Sequence, residues 1–154
     1  MELLKKLEKY NIILGSASPR RRDLLNGLGI KFKIMSIDYD ERFPNGMKKE
    51  EIPVYLAIQK NEKFSYLITD NTIVITADTI VFLNNMIIGK PANKSEAFKM
   101  LKLLSGKKHE VITGVCIKSA EKMVSFYDIS EVYFKELSDE EIIGLLLVTT
   151  VVVV

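Results

Sequence analysis

A run of eleven residues, 73–83, is dominated by β-branched side chains and holds one charged residue, Asp78. The run is followed by Asn84-Asn85 and then by three more apolar residues, 86–88. This pattern predicts a long, largely buried strand that returns through a tight turn into a short second strand. A chain with such a run must build a sheet.

Asp78 is the exception within this predicted strand. Burying an ionised carboxylate without a partner costs several kcal/mol, so Asp78 is expected to be paired, metal-bound or protonated. The alternative, more common for a lone aspartate, is a carboxylate that caps a turn between two strands.

The remaining segments alternate between strand and helix patterns. Strands are predicted at residues 12–14, 32–36, 109–118 and 123–134, the last two joined by a turn near Ala120-Glu121. Helices are predicted at residues 52–67 and 95–104, with Gly106 ending the second, and a capping box at Ser138 opens a last helix. Together these elements predict an α/β domain with a mixed sheet and helices beside it.

A basic helix start follows the first predicted strand, in the sequence Gly15-Ser16-Ala17-Ser18-Pro19-Arg20-Arg21-Arg22. Ser18 suits the N-cap and Pro19 the first helical position, which places the arginines against the positive end of the helix dipole. An anion would compensate, because backbone N–H groups, serine hydroxyls and guanidinium groups together bind phosphate. The alternative is an ordinary capped helix with solvated arginines.

Two lysines and an acidic loop are further candidates. Lys90, between a glycine and a proline, either faces a phosphate or is a solvated loop residue. Lys60, on its predicted helix, likewise either points toward the site or is solvated. Asp38, Asp40 and Glu41 either offer oxygens to Mg²⁺ or Mn²⁺ or form an acidic surface loop.

Composition excludes several classes of protein. With 22 basic and 20 acidic residues the net charge is +2, which indicates neither a nucleic-acid coat nor a membrane-surface protein. A single histidine, His109, disfavours a Ser-His-Asp triad and a His-rich zinc site. A single cysteine, Cys116, excludes an intrachain disulfide, and the charged N-terminus lacks a signal-peptide core, so we expect a cytoplasmic protein.

A basic helix start, loop lysines and carboxylates on separate elements are the groups that cleavage of a phosphoanhydride requires. No segment fits the P-loop pattern. A phosphate-recognising binding module without catalysis is the alternative hypothesis.

Several motifs occur together in an order that is typical of one family. They are Ser16-Ala17-Ser18-Pro19-Arg20-Arg21, Ala77-Asp78-Thr79, Gly89-Lys90-Pro91, Leu104-Ser105-Gly106, the segment from His109 to Val115, and Leu137-Ser138-Asp139-Glu140-Glu141. Over about residues 10–143 the chain resembles the Maf family of nucleoside triphosphate pyrophosphatases.

The resemblance implies hydrolysis of a nucleoside triphosphate between its α and β phosphates with a divalent cation, Mg²⁺ or Mn²⁺, and is greatest to the branch acting on dTTP and UTP. It implies a mixed sheet with antiparallel pairs, flanked by helices, a cleft between two lobes, and a homodimer. Asp78 matches the family's general base, and Glu41 matches an acidic residue of its site; these two would bind the metal. The positions that match phosphate-binding residues are Ser16, Ser18, Arg20, Arg21, Lys60 and Lys90.

The resemblance also predicts where the family pattern stops. Relatives continue for several dozen residues beyond the Ser138 helix, through an Asp-Lys-Ala-Gly-Ala-Tyr-Gly segment that this sequence lacks. We therefore expect one catalytic domain over residues 1–143, incomplete at its C-terminus, and an apolar tail over residues 144–154.

Overall fold

The computed structural model describes residues 2–148. The chain forms two compact units. The first contains the chain up to Asp78 together with Thr113–Tyr127, and the second contains Thr79–Ile112 together with the described residues from Asp128 onward.

The helices and strands alternate as the sequence predicts. The helices are α1 (Glu2–Leu7), α2 (Pro19–Gly27), α3 (Glu51–Glu62), α4 (Lys94–Leu104) and α5 (Asp139–Val148). The strands are β1 (Asn11–Gly15), β2 (Lys33–Met35), β3 (Thr72–Leu83), β4 (Met86–Ile88), β5 (Lys108–Lys118) and β6 (Met123–Tyr133). Over residues 2–148 these strands form one sheet in the order β2-β1-β3-β5-β6, with β4 also paired to β3.

The sheet is mixed, which confirms the predicted fold class. β1 pairs in parallel with both β2 and β3, whereas β3 and β4 are antiparallel. The three apolar residues Ile12, Ile13 and Leu14 of β1 are all buried, as expected for a strand between two parallel neighbours.

The core of the first unit forms around Ile13, Phe64 and Val74. The predicted helix over residues 52–67 ends earlier than expected, at Glu62, and a 3₁₀ turn covers Ser65–Leu67. The tightening begins where Lys63 and Phe64 donate to carbonyls three residues back instead of four. This change of path lets Phe64 reach the core, where it is fully buried.

The first unit contains one very close contact between a helix and a strand. A Cβ at Gly114 of β5 would lie 2.3 Å from backbone atoms of Pro53 and Val54 in the first turn of α3. Only a residue without a side chain allows α3 to lie at this distance from β5.

The second unit is built on a hairpin and two helices. Asn84 and Asn85 have φ angles of 49° and 62°, which confirms the predicted tight turn between β3 and β4. Val81 and Leu83 pack against Met100 and Leu104 of α4. α4 begins one residue before the predicted start, because Asn93 accepts a hydrogen bond from the Glu96 backbone and acts as its N-cap.

α5 begins with the predicted capping box: Ser138 Oγ accepts from the Glu141 backbone, and Glu141 Oε2 accepts from the Ser138 backbone. The helix continues to Val148 and so includes the first part of the predicted tail. Residues 149–154 of that tail lie outside the described residues. None of the helices within residues 2–148 combines the length and apolar character that crossing a bilayer requires.

Candidate active site

The candidate site lies in the first unit, where β1 ends and β3 continues. Leu14 is in register with Ile75, so Ser16 follows the end of β1 while β3 extends on to Ala77 and Asp78. Ligands of open α/β sheets bind at the carboxyl ends of the parallel strands, where loops and helix N-termini converge. The loop 16–18 and the start of α2 occupy this position.

Arg21 joins this loop to β3. Its Nη1 donates to the Ala77 carbonyl oxygen at 2.9 Å and to Ser16 Oγ at 3.2 Å. Burial lowers the pKa of the Arg21 guanidinium, and the negative charge of Asp78 opposes that shift. The two predicted motifs that contain Ser16 and Asp78 therefore meet through this arginine.

The start of α2 differs from the prediction in one respect. Ser18 is the N-cap and Pro19 is the first helical residue, as predicted, but within the described chain the Ser18 hydroxyl makes no capping hydrogen bond. Instead the Ser18 backbone N–H donates to Ser16 Oγ at 3.2 Å. The hydroxyl of Ser18 thus remains available for a ligand at the helix start.

Asp78 is 6% exposed and is held by an aromatic hydroxyl. Tyr39 Oη donates to Asp78 Oδ1 at 2.5 Å. Burial is the main reason that the pKa of Tyr39 is raised, and the hydrogen bond to Asp78 and the charge of Glu41 add to it. Tyr39 therefore stays protonated at neutral pH and supplies the partner that a buried carboxylate needs. Of the three states expected for Asp78, namely paired, metal-bound or protonated, the structure shows a hydrogen-bonded partner.

Lys60 reaches the same place from α3. Its side chain is 8% exposed, and its Nζ lies 4.7 Å from the centroid of the Tyr39 ring, within the range of a cation–π interaction. The next residue, Asn61, fixes α3 against the sheet, because its Nδ2 lies within hydrogen-bonding distance of Val74 O, Thr76 Oγ1 and Cys116 O. Lys60 thus projects from a firmly anchored turn.

Three of the predicted residues are exposed, and one of these lies in the other unit. Arg20 is exposed on α2, and Glu41 is exposed in the loop after β2, although its charge acts on Tyr39. Lys90 is an exposed residue of the second unit, after β4. Asp40, one of the candidate metal ligands, is bound by Arg42 through Nε at 2.6 Å and through the backbone N–H at 3.0 Å.

The carboxylates of Asp78 and Glu41 could together hold a divalent cation that also binds phosphate. Within residues 2–148, no cluster of three or more His, Cys, Asp or Glu side chains is placed to hold a metal ion. Mg²⁺ is usually held by only one or two carboxylates together with substrate phosphates. Asp78 and Glu41, which both act electrostatically on the Tyr39 hydroxyl, fit that requirement.

Sequence reasoning missed Tyr39 and Asn61. Tyr39 stands in the acidic loop, and no spacing connects it with Asp78, which follows 39 residues later. Asn61 is a polar residue on the buried face of α3, next to Lys60. A polar residue at a core position of the predicted helix was the one signal for Asn61.

The fold and this group of side chains define a class: α/β proteins with a serine- and arginine-containing loop at the carboxyl edge of parallel strands. Comparisons with known proteins identify the family within this class. The sequence profile described as "Maf-like protein" matches residues 11–147. The chain belongs to the Maf family.

Relatives of the chain carry a shared name. The dTTP/UTP pyrophosphatase of Phocaeicola vulgatus is 48% identical over 141 residues, which cover 91% of this chain and 73% of that protein. The dTTP/UTP pyrophosphatase of Porphyromonas gingivalis strain W83 is 46% identical over 143 residues, covering 91% of this chain and 72% of that protein. Both relatives are longer than this chain.

A solved structure shares the fold at low sequence identity. The Staphylococcus aureus Ham1 protein aligns with a TM-score of 0.51 and 17% identity, covering 84% of this chain and 72% of that one. At 17% sequence identity, this similarity shows a shared fold and nothing more.

Proposed function

We propose that this protein hydrolyses nucleoside triphosphates to the nucleoside monophosphate and pyrophosphate, with dTTP and UTP as its preferred substrates. The observation that carries the proposal is that Arg21 donates both to Ser16 and to Ala77, the residue directly before Asp78. Membership of the Maf family and the shared name of its relatives support the choice of reaction and substrates.

In the proposed reaction, the triphosphate lies against the Ser16 loop, the start of α2 and the Lys60 ammonium. Ser16, Ser18, Arg20, Arg21, Lys60 and Lys90 are the proposed phosphate-binding residues. Their N–H and O–H groups and their positive charges stabilise the negative charge that develops on the phosphate oxygens in the transition state.

Asp78 is the proposed general base. A water oxygen forms a bond to the α-phosphorus while the bond from that phosphorus to the α,β-bridging oxygen breaks. The water proton passes to the Asp78 carboxylate, and pyrophosphate leaves with the electron pair of the broken bond. A divalent cation, Mg²⁺ or Mn²⁺, held by Asp78, Glu41 and phosphate oxygens, would neutralise charge on the phosphates.

The test is pyrophosphate release from dTTP, UTP, CTP, ATP and GTP with Mg²⁺ or Mn²⁺ present. Asp78→Asn should lower kcat for UTP by about 10²–10⁴-fold, the usual contribution of a general base. Asp70→Asn, in an exposed turn of the same unit, is the matched control and should keep full activity.

Two results would overturn parts of this proposal. Full turnover by Asp78→Asn would remove Asp78 as the base. Nucleotide binding by the wild-type chain without any pyrophosphate release would instead support the non-catalytic binding module.

Three further features of the proposal come from the family resemblance. We propose one catalytic domain over residues 1–143, a homodimer and a cytoplasmic location. Light scattering of the purified protein measures the dimer, and fractionation of cells that express the chain measures the location.

A further inference from the structure

A buried network of polar side chains joins α3 to β3 in the first unit. Thr76 Oγ1, on β3, donates to the Ala57 carbonyl oxygen of α3 at 2.7 Å. Asn61 Nδ2, one turn farther along α3, donates to the same Oγ1 at 3.2 Å. All three residues are fully buried, so no solvent competes with these hydrogen bonds.

The network connects the two elements that carry the candidate site. Asn61 directly follows Lys60 in α3. Thr76 lies two residues before Asp78 in β3. A shift of α3 along or away from β3 at this point would therefore change where Lys60 lies relative to Asp78.

The Asn61 amide acts in this network as a donor only. Its Nδ2 faces three acceptors, the carbonyl oxygens of Val74 and Cys116 and Thr76 Oγ1, at distances of 3.1 Å, 3.3 Å and 3.2 Å. Within residues 2–148 its buried Oδ1 has no hydrogen-bond partner. A buried acceptor without a partner destabilises a fold, and an aliphatic side chain would avoid that cost. Stability alone therefore does not account for an asparagine here.

We propose that Thr76 and Asn61 are positioning residues, whose hydrogen-bonded network holds the Lys60 ammonium where it reaches the phosphates of the substrate. Both side chains are fully buried, so they act through Lys60 and not by contact with the substrate. The inference rests on the proposed function, because it takes Lys60 as a phosphate-binding residue.

The first test is a pair of substitutions at Thr76. Thr76→Val keeps the shape of the side chain but places a methyl carbon where Oγ1 lies 2.7 Å from the Ala57 oxygen. Because carbon contacts a carbonyl oxygen at about 3.3–3.6 Å, α3 would have to move by roughly 0.6–0.9 Å. A misplacement of about 1 Å can cost about 10²-fold in rate, so we expect kcat/KM for UTP to fall about 10–100-fold. Thr76→Ser keeps the hydroxyl and should retain the wild-type kcat/KM.

A double-mutant cycle with Lys60 separates positioning from stability. Calorimetry measures the binding of inorganic tripolyphosphate and of the non-hydrolysable α,β-methylene-UTP to the wild type, Thr76→Val, Lys60→Met and the double variant. Thr76→Val should weaken the binding of both ligands about tenfold when Lys60 is present, and less than about twofold when it is replaced by methionine. A side chain that contributes to stability alone would have the same effect on affinity in both backgrounds.

The matched control is Ile142→Val, at a fully buried residue of α5 in the second unit. It removes a buried methyl group without touching the network, so it should change neither kcat/KM nor the two affinities. Circular dichroism at the assay temperature checks that each variant is folded. If Thr76→Val does not fold, Thr76→Ala takes its place, since alanine removes the hydroxyl without adding a clash and should also weaken both ligands only when Lys60 is present.

The outcomes distinguish the two proposals. If the wild type releases pyrophosphate from UTP and the Thr76 variants without a hydroxyl do so equally well, the positioning role is wrong and the proposed function stands. An equal loss of affinity with and without Lys60 would also overturn the positioning role. A wild type that shows the expected coupling in binding but releases no pyrophosphate supports the positioning role and overturns the proposed function. A wild type that binds neither ligand overturns both.

Discussion

The hydroxyl of Tyr39 is bonded to one oxygen of Asp78, Oδ1, and its ring faces the Lys60 ammonium. A single side chain thus touches the proposed base and a proposed phosphate ligand. Each contact uses a different part of the residue, so the two can be removed separately.

Tyr39→Phe removes the hydroxyl and keeps the ring. We expect kcat for UTP to fall about tenfold, because Asp78 loses the donor that fixes its orientation, while KM changes little because the Lys60 contact remains. The free energy of unfolding should fall by about 1.5–3 kcal/mol, the usual contribution of a hydrogen bond to a charged group. Steady-state kinetics and urea unfolding measure the two effects.

The matched control for this substitution is Tyr66→Phe, at a side chain that is 70% exposed. It should leave both kcat and the unfolding midpoint unchanged. A Tyr39→Phe variant with wild-type kcat would show that the hydrogen bond to Asp78 has no part in turnover.

At this scale the sequence indicated charged residues better than neutral ones. Asp78 stood out because it interrupts an apolar run, and Arg21 because it opposes a helix dipole. Tyr39 breaks no local rule, and the polar Asn61 at a core position gives no hint of its partners, so only the folded chain reveals their neighbours. His109 is buried, and desolvation lowers the pKa of its imidazole.

Among the elements, α3 connects the core of the first unit with the site. Its first turn contacts β5 at Gly114, and its last turn carries Lys60 and Asn61. Lys118 at the end of β5 pairs with Glu62 at 2.7 Å, so the far end of the helix is also tied to that strand. The position of Lys60 therefore depends on how closely α3 lies on β5.

Gly114→Ala tests this dependence. The added Cβ would meet backbone atoms at 2.3 Å, and a rigid backbone cannot move aside at low cost. We expect a loss of stability of about 3 kcal/mol or more, at or above the upper end of overpacking effects. Chemical denaturation measures the change.

Gly144→Ala is the control, and we expect it to raise the stability of the protein instead of lowering it. It lies in α5, and a Cβ there would meet nothing within 4 Å. Alanine should stabilise this helix by about 0.5–1 kcal/mol. A Gly114→Ala variant as stable as the wild type would mean that α3 can shift away from β5 freely.

Most elements could be predicted because their signals are local. The Asn84-Asn85 turn and the Ser138 capping box depend on neighbours within a few residues, and both predictions are confirmed. The end of α3 could not be predicted from sequence, because Phe64 leaves the helix to pack against Ile13 and Val74. Helical periodicity continues through such a position and carries no information about a distant partner.

For the whole molecule, the question is whether a chain aligned with 73% of a relative's length carries out the relative's reaction. The first unit alone contains seven of the eight residues predicted for the site, all except Lys90. Ligand binding can therefore be measured independently of turnover. It tests the arrangement of charged residues on which both a catalytic protein and a non-catalytic binding module would depend.

The last prediction concerns stabilisation of the whole chain by nucleotide. A ligand at one hundred times its Kd raises the free energy of unfolding by about 2.7 kcal/mol. For a chain of this length each kcal/mol corresponds to about 2–4 °C, so α,β-methylene-UTP should raise Tm by roughly 5–10 °C. Differential scanning calorimetry with and without the analogue measures this increase.

Arg21→Ala should reduce the increase in Tm to half or less at the same nucleotide concentration. The variant loses the guanidinium that is bonded to Ser16 and Ala77, and a charge-assisted bond to phosphate contributes at least about tenfold in affinity. Arg22→Ala is the matched control, since Arg22 is exposed and paired with Asp23 at 3.4 Å. Equal increases in all three proteins would place the nucleotide away from the Ser16 loop, and a smaller increase for Arg22→Ala alone would place it on the outer side of α2.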